Sequence, residues 1–226
     1  MVISRTRGKA QPVALLPSIC RRVKDAIASG ELKPGAKLSP SSLAAGLGVS
    51  HIPVREALAS LAAFGYIEHR PRVGFFVHTR SAADLADIVH WRGILEDEAF
   101  RMAIPRLDTA DIAHMRQLCD ELHELEAPEL RGEYLAVNRR FHFVVFRRAG
   151  SERLLSFLAY LWDLAAPYTY GSPAAHARPD GHFPADDHAQ LVDLFESGDV
   201  DGAIAAMARH RESCLPGLSR LGANAE

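Results

Sequence analysis

The chain has 226 residues, of which 48% are hydrophobic and 24% charged, with a formal net charge of −2. That is enough to bury one large core or two ordinary ones, and it excludes a disordered polyelectrolyte. No apolar run approaches the roughly 20 residues a membrane-crossing helix needs, and the N-terminal MVISRTRGKAQP lacks the apolar centre of a signal peptide. Cys20, Cys119 and Cys214 lie far apart in helix-like segments, which argues against a CxxC metal or redox motif and a secreted disulfide framework, so a cytoplasmic protein is expected.

The net charge hides two halves of opposite sign. Residues 1–80 carry twelve Lys and Arg against four acidic residues, a net of +8, and residues 81–226 carry the remaining 14 against 24, a net of −10. A basic head on an acidic body predicts two domains, residues 1–79 and 80–226, of which the first meets a polyanion.

In the head, Leu16, Ile19, Cys20, Val23 and Ile27 have helix spacing over residues 15–29, and Gly30 is a stop signal. Pro34-Gly35 marks a turn. Ser39 followed by Pro40 reads as an N-cap with proline in the first turn of a short helix that ends at Gly48. Ser50 reads as the N-cap of the next helix, HIPVREALASLAAFG, where Pro53 is tolerated because the first turn has no N–H bond to lose. Two helices joined by a Gly-containing turn form a helix-turn-helix, whose second helix enters the major groove by its N-terminal residues. Those residues are Ser50, His51, Ile52 and Arg55. Tyr66-Ile67-Glu68 and Phe75-Phe76-Val77 read as two strands of a wing, with Arg70 and Arg72 at its basic tip beside phosphate or in the minor groove.

The stretch GELKPGAKL together with LAAGLGVSHIPVREALASLAAFGYIEHRPRVGFFV resembles the winged helix-turn-helix of GntR-family bacterial transcription regulators over residues 12–79. GVSHIPVREAL is its most specific part. The resemblance implies that Arg55 contacts the operator, usually a guanine, whose two acceptors suit a guanidinium fork. His51 departs from the arginine that the family often carries there, and the family often has a charged residue near Ser41.

The body reads as helices throughout, an all-α antiparallel bundle of six or so. Ser81 caps a helix with Leu85, Ile88, Val89, Leu95, Ala99 and Met102 on its apolar side, ended by Pro105; Trp91 is read as packing. Helical segments follow at 108–126, 132–150 and 152–166, then a loop at 167–184 rich in Gly, Pro and His. Two last helices are joined at Ser197-Gly198-Asp199. Three histidines stand out among the eight of this half. Asn138 and His142 are four apart and share a helix face. His188 and His210 lie at similar heights on the last helix hairpin, so both imidazoles can enter one pocket. An Asn oxygen with three imidazoles is a sensible ligand set for Zn²⁺ or Ni²⁺, with positions left for water or a carboxylate. Each histidine taken singly also fits an ordinary surface or core-edge residue.

Residues 81–215 resemble the FCD ligand-binding domain of the FadR subfamily of GntR regulators, on Trp91-Arg92, Leu95-Glu96, Asn138, Phe141-His142, His188 and His210. The resemblance implies a divalent metal held by Asn138, His142, His188 and His210, with Zn²⁺ expected ahead of Ni²⁺ or Mn²⁺. Asn138 replaces the Asp of many members. It also implies that Arg92 clamps an effector carboxylate; the alternative is an Arg92–Glu96 pair at i, i+4. The expected protein is a homodimeric, metabolite-controlled regulator, a repressor by preference, that binds a near-palindromic double-stranded operator and no membrane. A metal sensor without an organic effector is one alternative. A metal-dependent hydrolase fused to a DNA-binding head is another, weakened by the lack of HExxH or GxSxG; its only general-base candidates, Asp186 and Asp187 beside His188, read rather as favourable charges at a helix start.

Overall fold

The computed structural model describes residues 12–125, 127–169 and 184–213. It divides into two units, Met1–Arg80 and Ser81–Glu226. Its nine α-helices and three strands, counted among the described residues, make a mainly α protein: a winged helix-turn-helix head and an all-α body.

In the head, α1 (Pro12–Ala28), α2 (Pro40–Leu47) and α3 (His51–Ala63) stand beside a small sheet of β1 (Lys37–Leu38), β2 (Ile67–Arg70) and β3 (Gly74–Val77). The Ser39 hydroxyl accepts from the Ser42 amide, and Gly48 closes α2 at φ 68°, a left-handed conformation that suits a residue with no Cβ. Ile19, Val23 and Ile27 of α1 bury against Val54, Ala57, Leu58 and Leu61 of α3, with Ile67, Phe75 and Val77 closing the core. Each such side chain contributes about 1.5–3 kcal/mol on burial. β2 and β3 pair antiparallel, Ile67 opposite Val77 and Arg70 opposite Gly74. The wing has a strand beyond the two expected: Lys37–Leu38 pairs antiparallel with Phe75–Phe76. Two residues are too few to show alternation. Helix α1 also runs through Pro17.

The body contains α4 (Ala82–Ala103), α5 (Thr109–Glu124), α6 (Arg131–Arg148), α7 (Glu152–Thr169), α8 (Pro184–Ser197) and α9 (Val200–Ser213), with short 3₁₀ turns at Ile104–Arg106 and Pro128–Leu130. Ser81 caps α4 reciprocally: its hydroxyl accepts from the Asp84 amide and the Asp84 carboxylate accepts from the Ser81 amide, both at 3.1 Å. Asp108 and Asp111 repeat the device at α5. Phe100, Met115, Leu118, Leu122, Phe141, Phe146, Leu158 and Leu191 fill the core. Helix α7 continues past Pro167 to Thr169, two residues beyond the expected start of the loop. The rest of the expected loop, residues 170–183, lies outside the described residues, as does Cys214.

Leu85, Ile88 and Ala99 of α4 are buried and Leu95 and Met102 pack partly buried against the core, where Arg92 and Glu96 also sit at 3% and 0% exposure. One expectation for α4 is corrected. Trp91 is 52% exposed and touches the His90 ring edge-on, so it does not pack into the core.

Candidate DNA-reading surface and candidate metal centre

Helix α3 presents its first turn to solvent. His51, Ile52 and Arg55 are exposed, and Ile52 reaches 70%. Val54, Ala57 and Leu58 anchor the opposite face, so the polar face is held rigidly. Ser50 has the extended backbone of an N-cap (φ −76°, ψ 165°), but its side chain makes no capping hydrogen bond. The wing turn places Arg72 at φ 64°, the one non-glycine residue with positive φ among those described. Arg70 is held differently. Its guanidinium donates to Glu68 at 2.9 Å and lies 4.4 Å from the Phe76 ring centroid. The same guanidinium holds the Glu68 carboxyl below its ordinary pKa. The two wing arginines therefore differ: Arg72 projects from the exposed tip, while Arg70 lies back on the sheet.

In the body, α6 supplies Asn138 and His142 one turn apart, α8 supplies His188 and α9 supplies His210. All four are buried at 0–2% exposure. His188 Nε2 lies 2.7 Å from Asn138 Oδ1 and 3.2 Å from His142 Nε2. The His188 and His210 rings are 4.7 Å apart between centroids. One ligand atom from each of His142, His188 and His210 lies within 4.8 Å of the others. Burial first, then the His188 and His210 rings and the Arg92 and Arg211 guanidinia, hold the His142 imidazole well below its ordinary pKa. It is therefore neutral, the form that binds metal. Three imidazoles and an amide oxygen converging in a water-poor interior fit a divalent transition metal.

Arg92 and Glu96 lie beside this cluster. Arg92 Nε is 3.2 Å from Glu96 Oε1 but makes no hydrogen bond, and the guanidinium stacks 4.7 Å from the Trp162 ring centroid. The i, i+4 pair of Arg92 and Glu96 is thus present and buried.

Four further residues were not recognised as parts of this region. Asp187, expected foremost as a helix-start charge, is buried with Oδ2 3.2 Å from His210 Nδ1. Trp162 donates its indole N–H to Glu96 Oε1 at 2.7 Å. Arg211 donates to Glu96 Oε2 at 2.9 Å and to Asp97 at 3.2 Å. Gly93 makes room for it, because a Cβ there would lie 3.2 Å from Arg211 Cζ. The available signals were adjacency, Asp187 next to His188 and Arg211 next to His210, and a glycine inside an otherwise unbroken helix.

A winged helix-turn-helix with an exposed recognition face, joined in one chain to a separate helical bundle with a polar buried centre, is the architecture of a transcription regulator. Residues 17–77 match the model of bacterial regulatory proteins of the gntR family, and residues 87–213 match the FCD domain. The chain belongs to the GntR family of bacterial transcription regulators, in the group that carries an FCD domain. It is 33% identical over 194 residues to a probable D-xylose utilization operon transcriptional repressor of Paenarthrobacter nicotinovorans, covering 84% of this chain and 82% of that one. It is 30% identical over 160 residues to the HTH-type transcriptional regulator McbR of Escherichia coli strain K12, covering 71% and 72%. The solved structure of E. coli McbR/YncC superposes with a TM-score of 0.80 at 25% identity, over 94% of this chain and 99% of that one. A GntR regulator structure from Rhodococcus sp. RHA1, at 22% identity and a TM-score of 0.72, shares the fold. Both matched domains are those of transcription regulators, not enzymes. Among the described residues no helix is long and apolar enough to cross a membrane.

Proposed function

We propose that this protein is a cytoplasmic, homodimeric regulator, a repressor by preference, whose operator affinity is set by a small carboxylate metabolite at a metal site in the body. The observation that carries the reading is the convergence of Asn138, His142, His188 and His210, all at 2% exposure or less, beside the buried Arg92. Three imidazoles and an amide oxygen converging on one buried point form a ligand set for a cation. Those four residues would hold it, with Zn²⁺ favoured by the nitrogen-rich set and Ni²⁺ or Mn²⁺ as alternatives. The cation would supply a positive centre for an anionic group. Arg92 would orient the effector carboxylate by its planar fork. His51, Ile52 and Arg55 would read base edges in a half-site of a near-palindromic operator, while Ser50, Arg70 and Arg72 would meet the backbone or minor groove.

The effector shifts DNA binding only through its differential affinity for two arrangements of the protein. The test is titration of fluorescent DNA from the protein's own upstream region, at two salt concentrations, with metal-loaded protein and a panel of carboxylates. Expected are affinity that falls steeply with salt and changes with at least one carboxylate. Binding that is absent or independent of salt would refute the DNA reading.

A second reading rests on the Glu96 carboxylate, which already faces Arg92. There Arg92 is structural and the metal alone is the signal. Calorimetry with metal-loaded protein separates the two: heat on carboxylate addition, lost in Arg92→Ala, supports the effector.

A further inference from the structure

Two guanidinia compete for one buried carboxylate beside the candidate metal ligands. Arg92 Nε lies 3.2 Å from Glu96 Oε1, yet it donates no hydrogen bond. The carboxylate is held by other donors. Its Oε1 accepts the Trp162 indole N–H at 2.7 Å, and its Oε2 accepts from Arg211 Nη1 at 2.9 Å. Arg211 is itself fixed in place. Both of its terminal nitrogens reach Asp97 Oδ1 at 3.2 Å, and its side chain is only 10% exposed. Gly93 leaves the space that the guanidinium fills, since a Cβ there would lie 3.2 Å from Arg211 Cζ and Nε.

We infer that Arg211 is a positioning residue: by holding Glu96 Oε2 it keeps that carboxylate from closing onto Arg92, and so leaves the Arg92 donors open to an anionic ligand. The inference rests on the reading of Arg92 as the effector clamp and adds the residue that keeps the clamp open. A buried carboxylate without a strong donor turns to the nearest cation, because its desolvation is costly and a charge-assisted hydrogen bond offsets it. Without Arg211, only Trp162 holds Glu96, through Oε1. A rotation of the carboxylate then aligns it with Arg92, already 3.2 Å away, and the guanidinium fork is filled from within the chain. Arg211 thus acts on the ligand through Glu96 and need not touch it.

The experiment is calorimetry of metal-loaded, full-length protein with acetate, malonate and benzoate, on variants whose folding is verified by circular dichroism. Arg211→Met should lower the affinity for a probe that binds wild type at least about tenfold, the effect of one lost charge-assisted hydrogen bond at Arg92. Arg211→Lys still offers Glu96 a cation and should restore most of it. Removing a positive charge would by itself weaken an anion, so the deciding comparison is made in a Glu96→Gln background, where no carboxylate remains to close the clamp. There Arg211→Met should cost less than about threefold. Equal losses in both backgrounds overturn the inference. A second measurement needs neither Glu96→Gln nor a ligand. The chain has two tryptophans, so in a Trp91→Phe background the emission reports Trp162 and its bond to Glu96. Arg211→Met should shift that emission and Arg211→Lys should return it. Unchanged emission means that Glu96 stays in place without Arg211 and overturns the positioning role alone. A shifted emission with no probe binding to wild type overturns the effector reading and leaves Arg211 a structural partner of Glu96.

Discussion

Glu96 accepts the indole N–H of Trp162 at 2.7 Å across 66 residues of sequence, and its other oxygen accepts from Arg211 at 2.9 Å. One fully buried carboxylate therefore ties α4 to α7 and α9, beside the candidate metal ligands. Glu96→Gln keeps the shape and removes the charge that faces two guanidinia. Breaking one member of a buried ionic group is expected to cost about 3–5 kcal/mol, read as a lower midpoint in urea unfolding of the body. A change under about 1 kcal/mol would show that Arg92 and Arg211 find other partners.

Asp187 is expected to hold His210 in the tautomer that carries its proton on Nδ1, leaving Nε2 for a metal. Asp187→Asn should lower Zn²⁺ affinity about 10–100-fold in a chelator competition, with the unfolding midpoint nearly unchanged. Equal affinity would make the contact incidental.

Asn138 contributes a neutral oxygen where a carboxylate would be charged. Asn138→Asp should raise metal affinity, because an anionic oxygen binds a cation more strongly, and should weaken the binding of an anionic effector. Titration of apo protein with Zn²⁺ measures the first, and no increase would remove Asn138 from the ligand set.

In the head, Arg55→Ala is expected to cost about 1–3 kcal/mol on the preferred operator and much less on random DNA, as for a base-reading guanidinium. Arg72→Ala should weaken all sequences alike and lower the salt slope by about one. Equal losses on both DNAs for Arg55→Ala would turn it into a phosphate contact.

Burial pushes the Cys119 thiol up to about 11. At pH 8 roughly one molecule in a thousand then carries the reactive thiolate, so iodoacetamide should label Cys119 only after unfolding, as read by peptide mass spectrometry. Because the folded pKa is raised, the associated stability is complete below the ordinary thiol pKa and is lost as pH rises toward 11. Rapid labelling of the native protein would contradict the buried position.

Much of this was legible locally. Ser39-Pro40, Gly48 and the GVSHIPVREAL segment specify helix ends through their own backbone preferences, and Ser81 with Asp84 does the same for α4. The period of Asn138 and His142, and the similar distances of His188 and His210 from Gly198, put each pair on a common face or height, and the family resemblance joined the two pairs. The two-residue strand Lys37–Leu38 was not legible, since its existence depends on the Phe75–Phe76 edge that it pairs with.

The division of charge, the head's helix-turn-helix and the shared face of Asn138 and His142 follow from the chain itself, because caps, turns and helical period act over a few residues. Packing alone decided the surroundings: that Trp91 faces outward and Trp162 inward, that Glu96 is a buried hub, and that Asp187 reaches His210. These contacts join residues 23 to 115 positions apart. No local preference encodes which side chain will lie opposite another once the helices dock.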